Sequence, residues 1–351
     1  MLNIGGKKMN IDKKTFSMQW HFTDSCDQAC RHCYIYQDNS YLKKLNRGLS
    51  FEEAKLIVDN FVSFCEDMGC EPRLSITGGD PLLYKYFWEI ISYIFSKGII
   101  FSILGNPLHL NEDVCGKLKE LGCVSYQMSL DGLEKTHDEI RKNGSFKVTL
   151  EKISLLKNFG IRANIMTTVS GINYLEVPDL IRIVVENNVD TYAFSRYCPT
   201  PDDNIKDSFL SPQEYKNFLQ KVWSVYEELA NRGTTFSLKD HLWTLFLYEK
   251  GLIKINQSKS IVDGCNCGFR HITLLPDGTV YACRRFTSPV GHALKESIYN
   301  IFLGEKMEEY RSIDKFSDCS NCELLNYCRG CHAVSFGTFG NFFSRDPQCW
   351  K

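Results

Sequence analysis

A chain of 351 residues has room for one large α/β domain and a smaller appendage, and 43% hydrophobic with 24% charged residues is the composition of a globular protein. A formal net charge of -1 argues against nucleic acid held by bulk electrostatic attraction. No stretch approaches the roughly 18 to 20 apolar residues of a membrane span, and the opening MLNIGGKKMNIDKK lacks a signal-peptide core, so the 16 cysteines are read as those of a cytoplasmic protein, for metal or redox chemistry rather than disulfides.

Residues 1–14 are polar and read as a flexible N-terminus. A first strand over 15–22 delivers Cys26-Asp27-Gln28-Ala29-Cys30-Arg31-His32-Cys33, followed at once by Tyr34. Thiolates are soft ligands, and tetrahedral sulfur sites select zinc or iron-sulfur. Thiols at this spacing can hold three corners of an iron-sulfur cube and leave one iron open to a small molecule; a zinc knuckle or a buried thiol cluster is the plainer alternative. Ser50-Phe51-Glu52-Glu53 is a capping box opening a helix to about Met68.

Strands over 73–77, 99–104, 124–130, 162–169 and 191–196 alternate with helices over 82–96, 111–121, 146–158 and 175–187. Six strands at βαβ spacing imply a parallel sheet with right-handed crossovers. A closed eight-unit barrel would need more chain, so residues 15–210 are expected to form a partial (β/α)6 barrel. Ligands of such sheets sit at the C-terminal ends of strands. Gly78-Gly79-Asp80-Pro81 follows the second strand, its glycines allowing close backbone approach and Asp80 offering a carboxylate to an ammonium. Gly105-Asn106-Pro107 ends the third strand, Ser129-Leu130-Asp131-Gly132 the fourth, Thr168-Val169 the fifth and Arg196-Tyr197-Cys198-Pro199 the sixth. Asp131 reads as a cap for the next segment. Cys198 could donate a hydrogen atom or hold a substrate, or be a small apolar filler.

Residues 211–263 read as a helical bridge, with helices from Ser211 to about Arg232 and from Leu238 to Glu249. Residues 264–351 carry eight cysteines, and so small a part is expected to need metal to hold its fold. Pro276-Asp277-Gly278 turns a hairpin, with Cys265 and Cys267 before it and Cys283 after; Cys319-x2-Cys322-x5-Cys328-x2-Cys331 and Cys349 follow. Paired thiols also fit a zinc ribbon.

The cysteine loop resembles the cluster loop of the radical S-adenosylmethionine (radical SAM) enzymes, and the C-terminal cysteines resemble the family's SPASM extension. The resemblance runs from about Thr15 to Cys349 and implies an α/β fold, the partial (β/α)6 barrel with a cysteine-rich extension. It implies a 4Fe-4S cluster on Cys26, Cys30 and Cys33 whose open iron is chelated by SAM, and a 5'-deoxyadenosyl radical that abstracts hydrogen from a substrate. Gly78-Gly79-Asp80-Pro81 is similar to the family's Gly-Gly-Glu-Pro, which binds the SAM amino group; aspartate here is one methylene shorter. By the same resemblance Tyr34, Asn106 and Ser129 are cofactor contacts, Arg141 pairs with the SAM carboxylate, and Thr168 and Val169 meet the adenine. Two auxiliary 4Fe-4S clusters are implied, an outer one on Cys319, Cys322, Cys328 and Cys349, and an inner one on Cys283 and Cys331 with Cys265, Cys267 or both. Two features depart from the pattern: two residues instead of three precede Cys331, and Cys265 and Cys267 are a tight pair.

The resemblance implies a maturase that modifies a ribosomally made precursor peptide, by a thioether or carbon-carbon crosslink, fed by an electron donor such as flavodoxin or ferredoxin. Oxidation of a sulfatase residue to formylglycine, tetrapyrrole side-chain modification and a non-catalytic metal-binding module are the alternatives. The short segment ahead of the first strand leaves the peptide leader to be bound by the barrel, by the SPASM region or by a separate protein.

Overall fold

The computed structural model describes residues 15–37, 48–200, 209–256 and 260–351; the expected flexible N-terminus lies outside them. Ten strands form one sheet: β1 Thr15–His21, β2 Glu71–Thr77, β3 Ile100–Leu104, β4 Cys123–Ser129, β5 Arg162–Val169, β6 Thr191–Arg196, β7 Thr235–Ser237, β8 His271–Leu274, β9 Thr279–Tyr281 and β10 Pro289–His292. Their order is β10-β9-β8-β1-β2-β3-β4-β5-β6-β7. From β8 through β7 every pairing is parallel, and only the β8-β9-β10 meander is antiparallel.

The six expected strands are present, joined by helices Phe51–Asp67, Phe87–Ser96, Glu112–Glu120, Ser145–Asn158 and Val177–Glu186. The capping box forms as read: Ser50 accepts from the Glu53 amide and the Glu53 side chain accepts from the Ser50 amide. Three features depart from expectation. The helix expected from residue 82 starts at Phe87, because Pro81–Leu83 forms a 3-10 turn first. A further helix, Glu134–Ile140, precedes Arg141. The stretch between the two bridge helices contains β7, and β8 pairs with β1, so the cysteine-rich part continues the barrel sheet.

Parallel strands covered on both faces are buried on both. On β1, Phe16, Met18 and Trp20 are buried on one side, and Gln19 and His21 on the other. Phe16 meets Phe64 of the first long helix edge-on at 4.7 Å and Phe302 of the C-terminal part at 5.0 Å. Bridge helices Pro212–Leu229 and Leu242–Glu249 cover the β7 edge with aromatic rings, Tyr226 stacking on Phe236 at 4.1 Å. Among the described residues, no helix is long and apolar enough to cross a membrane.

A buried ion pair locks the two parts together. Arg196, the last residue of β6, donates to Asp346 through Nη1 at 2.6 Å and Nη2 at 2.7 Å, and to Asp240 through Nε at 2.8 Å. Asp346 in turn accepts from the Cys331 amide at 2.7 Å and the Gln348 amide at 3.0 Å, so a barrel guanidinium fixes the backbone beside two cysteines. Removing one partner of such a pair strands a buried charge at a cost of about 3 to 5 kcal/mol. Because Arg196 keeps Asp240, Asp346→Ala is expected to lower the unfolding free energy by up to about that amount and to expose the C-terminal part to limited proteolysis; an unfolding free energy within experimental error of wild type would show that the pair does not hold the parts together.

Candidate functional site

A cleft open to solvent lies at the C-terminal ends of the parallel strands. Cys26, Cys30, Cys33, Tyr34, Gly78, Gly79, Asn106, Ser129, Arg141, Thr168 and Cys198 all line it, so most of the sequence-selected residues meet on one surface. Asp80 and Val169 do not reach that wall, and both are buried.

The paired glycines carry out a structural task first. Gly78 has φ +136°, and a Cβ there would meet the Thr23 carbonyl at 2.2 Å; one on Gly79 would meet the Ser25 carbonyl at 2.2 Å. Their closeness lets the Gly79 and Asp80 amides donate to Thr23 and Ser25 at 2.7 Å each, which clamps the chain just ahead of Cys26. Asp80 Oδ1 accepts from the Leu82 amide at 3.1 Å, while Oδ2 has no partner among the described residues. Burial pushes this carboxyl up to about 6.

Asn106 grips the other side of the loop, its amide nitrogen donating to Asp27 Oδ1 at 3.0 Å and to Cys26 Sγ at 3.7 Å. Arg141 donates through Nη1 to Gln28 Oε1 at 3.5 Å and to Cys30 Sγ at 3.7 Å, and through Nε to Asp131 at 2.6 Å. It is thus a seated site residue rather than a solvated surface arginine. Asp131 is not a helix cap, since Leu133 occupies that place without a side-chain bond. Its carboxylate instead also accepts from the Thr168 amide at 2.8 Å and lies 3.4 Å from His32 Nε2. Burial works to raise the Asp131 carboxyl, but Arg141 and then His32 hold it below the ordinary range. The Tyr34 hydroxyl sits 3.4 Å from His21 Nε2.

The C-terminal cysteines fall into two groups. Cys265, Cys267, Cys283 and Cys331 lie in one another's electrostatic reach, with burial, the larger effect, pushing Cys265 up to about 12. Cys319, Cys322, Cys328 and Cys349 form the other: burial, then Cys349 and Cys322, push Cys319 up to about 11. The short Cys328-Arg329-Gly330-Cys331 spacing is turned by Gly330 at φ +67°, whose Cβ would meet Asp346 Cβ at 2.4 Å; the glycine lets neighbouring cysteines belong to different groups. Cys198 hydrogen-bonds Cys331 from the barrel side, which lowers the Cys331 thiol, while burial raises that of Cys198. Sequence reasoning had not singled out Gln127, Arg284 and Arg285 as wall residues; the signal available for the arginines was their position directly after Cys283.

A sequence profile of the Radical SAM superfamily matches residues 20–184, and one of an iron-sulfur cluster-binding domain, SPASM, matches residues 265–332. The chain belongs to the radical SAM superfamily. This radical SAM/SPASM chain is 23% identical to the AdoMet-dependent heme synthase of Nitratidesulfovibrio vulgaris over 341 residues, covering 94% of this chain and 90% of that protein. It is 26% identical to the mycofactocin maturase of Mycolicibacterium smegmatis over 346 residues, covering 95% and 82%. Its fold is similar to that of SuiB from Streptococcus suis bound to S-adenosylmethionine, with TM-score 0.75, 17% identity and coverage of 97% of this chain and 78% of that one. The radical SAM/SPASM chain accordingly uses a 4Fe-4S cluster, SAM and auxiliary clusters. The donor set fits them: three thiols on one cleft wall, two thiol groups beyond it, and an unpartnered buried carboxylate oxygen beside the loop.

Because a methyl at Gly79 would collide with backbone, Gly79→Ala is expected to displace the cysteine loop and cost about four irons per chain, with the far-ultraviolet circular dichroism unchanged. Wild-type iron content in that variant would refute the clamp.

Proposed function

We propose that this protein is a radical SAM/SPASM maturase acting on a ribosomally made precursor peptide, with a thioether or carbon-carbon crosslink as the product. The observation that carries the reading is the shared cleft, where the cluster-loop thiols, most of the cofactor candidates and Cys198 face one space that Arg284 and Arg285 of the cysteine-rich part also line. Cys26, Cys30 and Cys33 hold the SAM-binding cluster. Cys319, Cys322, Cys328 and Cys349 hold the outer auxiliary cluster, and Cys283 and Cys331 hold the inner one with Cys265, Cys267 or both. When bound, the cluster and SAM supply a 5'-deoxyadenosyl radical able to take hydrogen from an unactivated C-H bond.

The chain's own residues position the reactants. Arg141, seated through Nε on Asp131, would pair with the SAM carboxylate. Gly78, Gly79, Asn106, Ser129 and Thr168, which line the same cleft, would hold the rest of the cofactor, with Thr168 as an adenine contact. Cys198 lines the cleft beside Cys331 of the inner thiol group, where it would face a bound substrate; the auxiliary clusters, held by the C-terminal thiols, would supply redox capacity. Flavodoxin or ferredoxin provides the reducing electron.

A second reading, modification of tetrapyrrole side chains, is favoured by the similarity to the heme synthase over nearly its whole length and by the arginine-lined cleft wall. Anaerobic reconstitution separates these readings from a binding module. About twelve irons per chain are expected, falling to about eight in a Cys26→Ala, Cys30→Ala, Cys33→Ala variant, with 5'-deoxyadenosine formed from SAM and reductant by the wild type alone. Zinc in place of iron, or no nucleoside from the wild type, would sink the enzymatic reading. Mass spectrometry of a precursor peptide and of an iron porphyrin offered together then shows which one changes.

A further inference from the structure

The charge on the cleft wall is unbalanced. Arg141, Arg196, Arg284, Arg285 and His32 line the cleft, and no aspartate or glutamate does. Four of these five are already engaged. Arg141 and His32 share Asp131, and Arg196 is closed by Asp240 and Asp346. Arg285 donates to the Arg196 carbonyl and, at 3.6 Å, to Cys331 Sγ. Arg284 alone has no side-chain hydrogen bond or ion pair among the described residues.

The surroundings of Arg284 add cations and unpartnered nitrogens instead of an acid. Lys239, exposed just beyond β7, also has no side-chain partner among the described residues and lies within electrostatic reach of Arg284 and Arg285. Gln19 and His21 share one face of β1, and both are buried. Gln19 Nε2 and His21 Nδ1 have no hydrogen-bond partner, and Arg284 is the charge that acts most on His21 after burial itself. Buried polar groups ordinarily find partners, and a guanidinium is the side chain best shaped for a carboxylate. An unpaired guanidinium on the cleft wall, with the open donors of Gln19 and His21 buried behind it, is complementary to an anion carried by whatever enters the cleft.

We propose that Arg284, with Lys239 and His21 beside it, binds a carboxylate of the substrate and so fixes which carbon faces the SAM side of the cleft. This rests on the reading of the cleft as a radical SAM substrate site. The same carboxylate chemistry is offered by a tetrapyrrole propionate and by a peptide's acidic side chain or C-terminus.

The test uses the full chain with its clusters reconstituted, as wild type, Arg284→Gln and Arg284→Lys. One arm measures binding of coproporphyrin III against its tetramethyl ester. The other measures capture of a random heptapeptide pool with free C-termini and acidic side chains against a C-terminally amidated pool in which Asn and Gln replace Asp and Glu. In at least one arm the wild type is expected to favour the acid about tenfold or more, the worth of one charge-assisted hydrogen bond. Arg284→Gln should erase that ratio and Arg284→Lys restore part of it. The responding arm identifies the carboxylate's source. Equal binding of acid and neutral forms in both arms overturns the proposal. So does an Arg284→Gln protein that keeps the acid preference while its auxiliary-cluster resonance shifts, since Arg284 would then serve only to offset the thiolates next to it. Failure of the enzymatic reading shows separately, as absence of 5'-deoxyadenosine from the wild type.

Discussion

The carboxylate of Asp131 is the constraint on which the site depends. Fully buried at the end of β4, it takes the Arg141 guanidinium at 2.6 Å and the Thr168 amide at 2.8 Å. Its backbone amide donates to His137 at 3.0 Å. A buried carboxylate stays ionised only if its charge and lone pairs are met, and here the groups that meet them come from the cysteine loop, β5 and the Glu134–Ile140 helix. One desolvated charge thereby sets the relative positions of three chain segments that sequence leaves far apart. Arg196 does the reciprocal work between the barrel and the C-terminal part, a buried cation met by two carboxylates.

These two hubs divide the labour of the cleft. Asp131 and its partners shape the side where the cofactor residues gather, and Arg196 with Asp346 fixes the side where Cys331 and Cys198 meet. Arg285 joins them to the inner thiols through its bonds to the Arg196 carbonyl and Cys331. The result is a space bounded by rigid, paired charges, with Arg284 the cation on its wall that has no side-chain partner among the described residues.

What the sequence disclosed follows from the length scale of each signal. The first six strands run five to eight residues with apolar faces, so alternation with helices made the barrel legible. β7 is three residues, too short for any pattern, and β8 joins β1 through pairing that no local window contains. The helix Glu134–Ile140 buries only His137 and Ile140, which leaves no apolar stripe to read. Cysteine spacing and Gly78-Gly79 are local signals and led to the cleft. The motif of Asp80 offers a carboxylate to an ammonium but says nothing of depth, and the structure sets it behind the wall, capping a turn with Oδ1. Arg284 and Arg285 acquire meaning only when the turn after β9 brings them over strand ends more than two hundred residues earlier.

The pairing of Ser17 with His271 has a bearing on how the molecule is made. β1 is the first strand of the barrel, yet one of its edges stays open until β8 has been synthesised. Non-local strand pairing is slow, and an open apolar edge invites aggregation. β8 belongs to the cysteine-rich part, so a nascent chain carries an unprotected first strand until nearly four-fifths of it has been made. Truncation ahead of β8 would then cost the barrel the cover of its own first strand.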